Sequence, residues 1–276
     1  MSKKLFAFDI DGTLLNDDKN VLDSTKKAIS KLLENNHVVC LSTGRTPIQT
    51  CDIVSELNLK HFIIGSGGAC YHDLSKNQTT ILAEEIDKKD LEIMWNTAQE
   101  LKREINFNNG SKYWRVYFGK DLLSEVKDPK YFIGGTSKKP IYDDKDEAFK
   151  ALMNEKIIQI SIKVESDKID TVKNLIHNKF SDDIHFHITS QVYFEISKNN
   201  INKFNAIQKI QKLYDISDED VYCFGDSDND YEMIKNCKNG IAMGNATPKI
   251  KNIAKKIIKN NNDNAIFDFL REQKLI

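Results

Sequence analysis

Leu5-Phe6-Ala7-Phe8-Asp9-Ile10-Asp11-Gly12-Thr13 is the stretch that decides the fold of this 276-residue chain. Four consecutive apolar residues without alternation suit a strand covered on both faces, the pattern of a parallel sheet. The run stops at two carboxylates separated by one residue, and then at a glycine. A strand-like backbone would send Asp9 and Asp11 to the same side.

The same pattern repeats outward from this point. Ala28, Ile29, Leu32 and Leu33 recur at helical spacing, behind Asp23 and Ser24, either of which can cap the helix. Residues 38–41 form a second apolar run, ending in Ser42-Thr43-Gly44-Arg45. Thr46-Pro47 reads as a cap and first helical position, with Ile48, Ile53, Val54 and Leu57 facing inward. Residues 62–64 are a third run. This β-α-β-α-β alternation predicts parallel strands joined by right-handed crossovers.

The rhythm then changes. Residues 69–72 and 79–83 predict a hairpin, and residues 88–103 an amphipathic helix carrying Leu91, Met94, Trp95, Ala98 and Leu101. Residues 113–118, 157–164, 185–189 and 192–196 predict strands with one solvated face, with a helix over 168–179 among them. The stretch 119–146 carries no legible pattern. From Lys203 the α/β rhythm returns, with Ala206, Ile207, Ile210 and Leu213 on a helix and residues 221–224 on a strand. That strand runs into Gly225-Asp226-Ser227-Asp228-Asn229-Asp230. The expected architecture is α/β: a doubly wound, Rossmann-like parallel-sheet core made of residues 1–83 and 199–276. An α+β domain, residues 84–198, is inserted into it.

Composition narrows the function. Forty Lys and Arg against 41 Asp and Glu leave a formal net charge of -1, which argues against a nucleic-acid binder and against polybasic membrane attachment. No run approaches the roughly 18 apolar residues of a membrane span. The N-terminal apolar run is too short for a secretion signal. Five scattered cysteines without CxxC spacing read as reduced thiols of a cytoplasmic protein.

Three polar clusters end predicted parallel strands: Asp9/Asp11, Ser42/Thr43 and Asp226/Asp228/Asn229/Asp230. Ligands of open α/β sheets bind at that edge. Turn-forming residues explain any one cluster, but not all three on one sheet edge. Two carboxylates about 4 Å apart repel by roughly 4 kcal/mol at an effective dielectric near 20. A pocket of several carboxylates therefore calls for a cation, and oxygen donors without paired His or Cys point to a hard ion, Mg²⁺. Lys203, where the α/β rhythm resumes, is the candidate for further neutralisation.

These residues carry a family resemblance. Asp9-Ile10-Asp11-Gly12-Thr13, Thr43-Gly44-Arg45, Lys203 and Gly225-Asp226-Ser227-Asp228-Asn229-Asp230 resemble the four motifs of the haloacid dehalogenase-like (HAD) superfamily. Their order and spacing resemble its Cof-type phosphatases with a type IIB cap, and Met243-Gly244-Asn245-Ala246 is a further match. The resemblance implies that Asp9 attacks phosphorus to form an aspartyl-phosphate, while Asp11 serves as general acid and then base. It implies Mg²⁺ held by Asp9, the Asp11 carbonyl and Asp226, with Asp230 behind, and phosphate held by Ser42, Thr43, Gly44, Lys203 and Asn229. Two positions depart from the usual pattern. Gly67-Gly68 stands where Asn-Gly is common, and Phe204, where Gly is common, is expected to narrow the mouth of the site.

The function expected is a Mg²⁺-dependent phosphatase of small phosphorylated metabolites, sugar phosphates among them, with no obligate protein partner. The alternatives are a hexose-phosphate mutase of the same superfamily and a non-catalytic module that binds a phosphorylated ligand. Specificity is expected from the inserted domain, with Arg115 the first residue to test.

Overall fold

The computed structural model describes residues 2–118, 145–176, 179–189, 193–198 and 201–276. The chain divides into two compact units, Met1–Leu82 with Asn202–Ile276, and Ala83–Ile201. Most of the 119–146 stretch, and Val192 of the last predicted strand, lie outside the described residues.

The first unit is built on the apolar run before Asp9. Leu5, Phe6, Ala7 and Phe8 form strand β1 (Leu5–Phe8) and are completely buried. Alternate residues supply two different cores. Phe6 and Phe8 pack with Val39, Leu41, Phe224 and Ile241 on one face of the sheet, while Leu5 and Ala7 pack with Val38, Cys40, Phe62 and Val221 on the other. That double burial is why the run lacks polar alternation.

β1 pairs in parallel with β2 (Val38–Ser42), which pairs with β3 (Phe62–Gly65). The antiparallel hairpin β4 (Cys70–Asp73) and β5 (Gln78–Ile81) extends this edge. On its other side β1 pairs in parallel with β11 (Val221–Gly225), followed by β12 (Asn239–Ala242) and β13 (Lys256–Ile257). The resulting order is β13-β12-β11-β1-β2-β3-β4-β5. Chain direction along the sheet reverses between β1 and β11, so the crevice for a ligand opens there, at the carboxyl ends of the strands.

Helices cover both faces. The helix Asp23–Glu34 buries Ala28, Ile29 and Leu32, but Leu22 precedes it without a side-chain cap, so neither Asp23 nor Ser24 caps it as expected. Asp23 instead sits in the first turn, where a negative charge suits the helix dipole. Thr46 does cap its helix, in a reciprocal box with Gln49 and with Pro47 at the first position; Ile48 is only half-buried. The helix Lys203–Leu213 is capped by the Asn202 side chain and buries Ala206, Ile207 and Ile210, whereas Leu213 is exposed. Among the described residues no helix is long and apolar enough to cross a membrane.

The second unit contains, among its described residues, a five-stranded sheet in the order β7-β6-β8-β10-β9. The strands are β6 (Glu104–Asn108), β7 (Tyr113–Tyr117), β8 (Gln159–Lys163), β9 (Ile184–Thr189) and β10 (Tyr193–Lys198). Ile105, Phe107, Ile160, Ile162, Phe194 and Ile196 pack with Leu91, Met94, Trp95 and Ala98 of the helix Lys88–Glu100. β6 is absent from the sequence expectation. Its Glu104, Asn106 and Asn108 discourage a strand assignment, yet all three are buried and hydrogen-bonded: Asn106 donates to Glu104, and Asn108 to Gln159 of β8.

Two histidines stitch the amino-terminal edge of the first sheet. The Lys4 N–H donates to His37 Nδ1 (3.2 Å) and the Val39 N–H to His61 Nδ1 (3.3 Å). Burial holds both imidazoles below their ordinary pKa, helped by the positive charges of Lys4 and Lys3 respectively. Each ring must stay neutral to accept. An unfolded chain therefore binds more protons than the folded one once pH falls below the ordinary value of about 6.5. Their stabilisation is complete above that pH and is lost as pH falls through the depressed folded values. Asn at either position keeps an acceptor and cannot titrate. His37→Asn and His61→Asn should flatten the loss of unfolding free energy between about pH 7.5 and pH 5.5, measured by urea titration. A slope as steep as wild type in both variants would remove the histidines from this role.

Candidate active site

The three polar clusters meet at the sheet edge where the strand order reverses. Asp9 leaves β1, and its N–H donates to the Phe224 carbonyl of β11 at 2.9 Å. Asp226 follows the end of β11 directly. Ser227 and Asp230 form a reciprocal capping box there, which winds Asp228–Asp230 into a turn ahead of the helix Tyr231–Asn236. Asp9, Asp226 and Asp230 each offer a carboxylate oxygen within 4.8 Å of the others.

Lys203 enters this cluster as the first residue of its helix. Its Nζ donates to Asp9 Oδ1 and to Asp230 Oδ1, both at 2.6 Å, and its side chain is fully buried. Burial alone would lower the ammonium pKa, but the charges of Asp230 and Asp9 outweigh it and raise the pKa above the ordinary value. Asp9 is pushed well up, by burial first and then by the charge of Asp230, with Lys203 opposing. Asp226 is pushed up to about 7, again by burial and then by Asp230.

Three carboxylates gather around one ammonium that bonds two of them, and their oxygens are not equally available. Both oxygens of Asp230 are occupied: Oδ1 by Lys203, Oδ2 by the N–H groups of Asp226 and Ser227. Asp9 has only Oδ1 engaged, and Asp226 only Oδ1, by the Thr13 hydroxyl at 3.1 Å. Among the described residues the second oxygens of Asp9 and Asp226 accept no hydrogen bond. Oxygen donors alone, in excess of positive charge and with two oxygens free, fit a hard divalent cation such as Mg²⁺. Gly12, at φ +86°, makes the approach possible, since a Cβ there would lie 2.4 Å from Asp226 Oδ2.

Asp11 is placed otherwise than the alternation suggested. β1 ends at Phe8, and the chain winds at once, with Leu14 and Leu15 donating to the Asp9 and Ile10 carbonyls. The Asp11 carboxylate is not part of the acidic cluster. Arg45 holds both its oxygens, Nε to Oδ2 at 2.9 Å and an Nη to Oδ1 at 2.7 Å. The sequence reading assigns Arg45 no role of its own; its only sequence signal is its place directly after Thr43-Gly44.

The second cluster lies alongside. Ser42 ends β2 with its hydroxyl buried and without a hydrogen-bond partner. Thr43 is buried, and its Oγ1 accepts the Arg45 N–H. Asn229 brings its amide nitrogen to 3.9 Å from where a Gly44 Cβ would stand, so these two meet across the edge. Asp228 turns outward to Lys249. At Gly67 no atom lies within 4 Å of a Cβ position. Phe204 packs against the apolar cluster on one face of the sheet, which accounts for its size.

Comparison with known proteins bears on the family and the fold. The model of the haloacid dehalogenase-like hydrolases matches residues 6–270. The chain is 28% identical over 284 residues to the 5-amino-6-(5-phospho-D-ribitylamino)uracil phosphatase YitU of Bacillus subtilis, covering 97% of this chain and 96% of that one. Among solved structures, a haloacid dehalogenase-like hydrolase from Bacteroides thetaiotaomicron superposes with a TM-score of 0.81 at 19% identity, over 99% of this chain and 100% of the other. The HAD subclass IIB sugar phosphatase BT4131 superposes at 0.79 and 18% identity, over 99% and 100%. At those identities the structures speak for the fold. With the family model spanning both halves of the core and the acidic cluster between them, the chain belongs to the haloacid dehalogenase-like hydrolases, among their Cof-type phosphatases.

Proposed function

We propose that this phosphatase hydrolyses small phosphorylated metabolites, sugar or polyol phosphates foremost, through an aspartyl-phosphate on Asp9 and with Mg²⁺ in the acidic cluster. The observation that carries the reading is the Lys203 bridge. It occupies one oxygen of Asp9, opposes the upward push of burial and of Asp230 on that carboxyl, and leaves the second oxygen to attack. In the first step the bond from Asp9 to phosphorus forms as the bond to the leaving oxygen breaks. Asp11, released from its two-point hold by Arg45 and carrying a proton, gives that proton to the leaving oxygen, then takes one from the water that cleaves the aspartyl-phosphate. Inorganic phosphate and the free alcohol leave, and Asp9 and Asp11 return to their starting states.

Asp9, Asp226 and the Asp11 carbonyl would hold the cation, with Asp230 behind them fixing Lys203 and the Asp226 loop. Bound there, Mg²⁺ supplies charge neutralisation for the transferring phosphoryl group. Ser42, Thr43, Gly44, Asn229 and Lys203 would bind the phosphoryl oxygens; the unpartnered Ser42 hydroxyl supports this for one of them. The substrate class draws on the relatives, one a ribitylaminouracil phosphatase and one a sugar phosphatase. A cytoplasmic location, suggested by the five free cysteines, belongs to the same proposal.

Selectivity is assigned to the second unit, because every phosphate ester shares the groups that the core would contact. One face of its sheet carries a polar network in which Arg115 donates to Asn106 (3.1 Å) and Tyr113 (3.3 Å) and pairs with Glu104 (3.4 Å).

Four outcomes test the proposal. Asp9→Asn should fold and lose more than about 10³-fold in turnover, the scale on which a lost nucleophile acts; near wild-type phosphate release would sink the mechanism. EDTA should abolish activity and Mg²⁺ restore it, with Ca²⁺ a poor substitute. Asp11→Asn should cost roughly 10²–10⁴-fold on alkyl phosphates but far less on nitrophenyl phosphate, whose leaving group needs no proton. Equal losses would contradict an acid at Asp11. Finally, Arg115→Ala, with Tyr113→Phe as the variant that keeps the ion pair to Glu104, should reorder kcat/KM across a sugar-phosphate panel more than it lowers nitrophenyl phosphate turnover. An unchanged ranking in both would move specificity elsewhere.

A further inference from the structure

The segment after Asp11 is held on two sides by different chemistry. On its inner side Leu14, Leu15 and Val21 are buried in the core, and Leu15 bridges to Val21 to close a small loop. At its tip Lys19 donates to the Asn16 carbonyl, and Asn16 exchanges further bonds with Asn20. That loop also brings Lys19 Nζ to 3.8 Å from Asp11 Oδ1.

Its outer side is held by three asparagines more than 220 residues later in the chain. Asn245 Nδ2 donates to the Gly12 carbonyl at 2.8 Å. Asn245 Oδ1 in turn accepts the Asn261 N–H at 3.1 Å, and Asn261 Nδ2 donates to the Leu15 carbonyl at 2.9 Å. Asn262 grips Asp17 from both sides, accepting its N–H at 3.0 Å and donating to its Oδ2 at 2.9 Å. Asn261 is itself buried. The Asn-rich run at 260–264, which reads as an ordinary polar loop in sequence, is therefore part of a latch.

The latch is anchored to the other side of the acidic cluster. Thr247 N–H donates to the Asp226 carbonyl and Gly244 N–H to the Lys259 carbonyl, so the loop bearing Asn245 is tied both to the Asp226 turn and to the Asn-rich loop. Gly12 is thus gripped twice. Next to it, Thr13 bonds the Asp226 carboxylate from within, and Asn245 bonds its own carbonyl from without. Gly12, at φ +86° and without a side chain, adds no side-chain restraint of its own to this turn. A swing there moves the adjacent Asp11.

We infer that Asn245 and Asn261 are positioning residues for the reaction: their hydrogen-bond chain fixes the Gly12 turn and so the backbone from which Asp11, once released by Arg45, reaches the leaving oxygen. Neither is among the residues assigned to phosphate or cation. The inference rests on the reading of Asp11 as the acid. It makes a demand that a merely structural asparagine does not: the loss should depend on whether the leaving group needs a proton.

The test measures kcat and KM of Asn245→Ala, Asn261→Ala and the double variant on an alkyl phosphate and on nitrophenyl phosphate, with urea stability alongside. Misplacement by about 1 Å costs up to about 10²-fold. Turnover of the alkyl ester should fall roughly 10-fold or more in each single variant, while nitrophenyl phosphate changes less than about 3-fold and KM for both stays near wild type. The double variant should lose no more than the worse single one, because the two residues act in series. Should Asn261→Ala fail to fold, Asn262→Ala removes the exposed end of the same latch and should show the same split more weakly. Equal losses on both esters, or none with the fold intact, overturn the inference. Asp11→Asn, run beside them, separates the two levels: if it shows the leaving-group split and the asparagine variants do not, the latch fails and the acid stands. If Asp11→Asn shows no split, the acid falls and the latch with it.

Discussion

The buried ammonium of Lys203, shared between Asp9 and Asp230, is the interaction on which the site and the core both depend. Removing one partner of a buried ion pair typically costs about 3–5 kcal/mol, because the remaining charge stays desolvated. Here the partners come from three places: the end of β1, the turn after β11, and the first residue of the helix that begins where the chain returns to the core. The same contact joins the two sequence halves of the first unit and opposes the burial that would neutralise Asp9. Closure of the first unit and the charge balance at Asp9 thus rest on one side chain.

The rest of the edge is arranged so that each acidic group meets a different neighbour. Asp230 is saturated and structural in its contacts, Asp226 keeps one oxygen open, and Asp11 is held apart by Arg45. Carboxylates of one chemical type are thereby given separate duties by environment alone. In the second unit the same economy runs through amides: Asn108, Gln159 and Glu195 form a hydrogen-bonded line across three strands, and Arg115 ties Asn106 to Glu104. Buried polar groups of this kind hold a unique arrangement only when each finds its partner.

Legibility in the sequence followed the physics of burial. β1 was readable because both of its faces are covered, which forces four apolar residues in a row. β6 was not, because one of its faces carries the buried polar residues Glu104, Asn106 and Asn108, and the Gln159 that satisfies Asn108 lies 51 residues later. Lys203 could be nominated by its position, but as one of forty basic residues it gave no sign of complete burial. Arg45 and Asn245 stand in the motifs Thr43-Gly44-Arg45 and Met243-Gly244-Asn245-Ala246, yet they, Asn261 and Asn262 gave no sign of their contacts: a guanidinium or an amide declares its partner only when the acceptor is in place.

What the sequence determined by itself was the doubly wound class, the order of the parallel strands' polar ends, and the residues that crowd there. These follow from local rules, since apolar runs, helical spacing and turn residues act over a few neighbours. The tertiary structure alone decided which carboxylate is saturated, which is open, that Asp11 faces Arg45, and that a loop near residue 261 grips the turn at residue 12. Those are relations between segments up to some 250 residues apart. Hydrogen bonds act over about 3 Å, so only a folded chain can select among the donors that composition leaves equivalent.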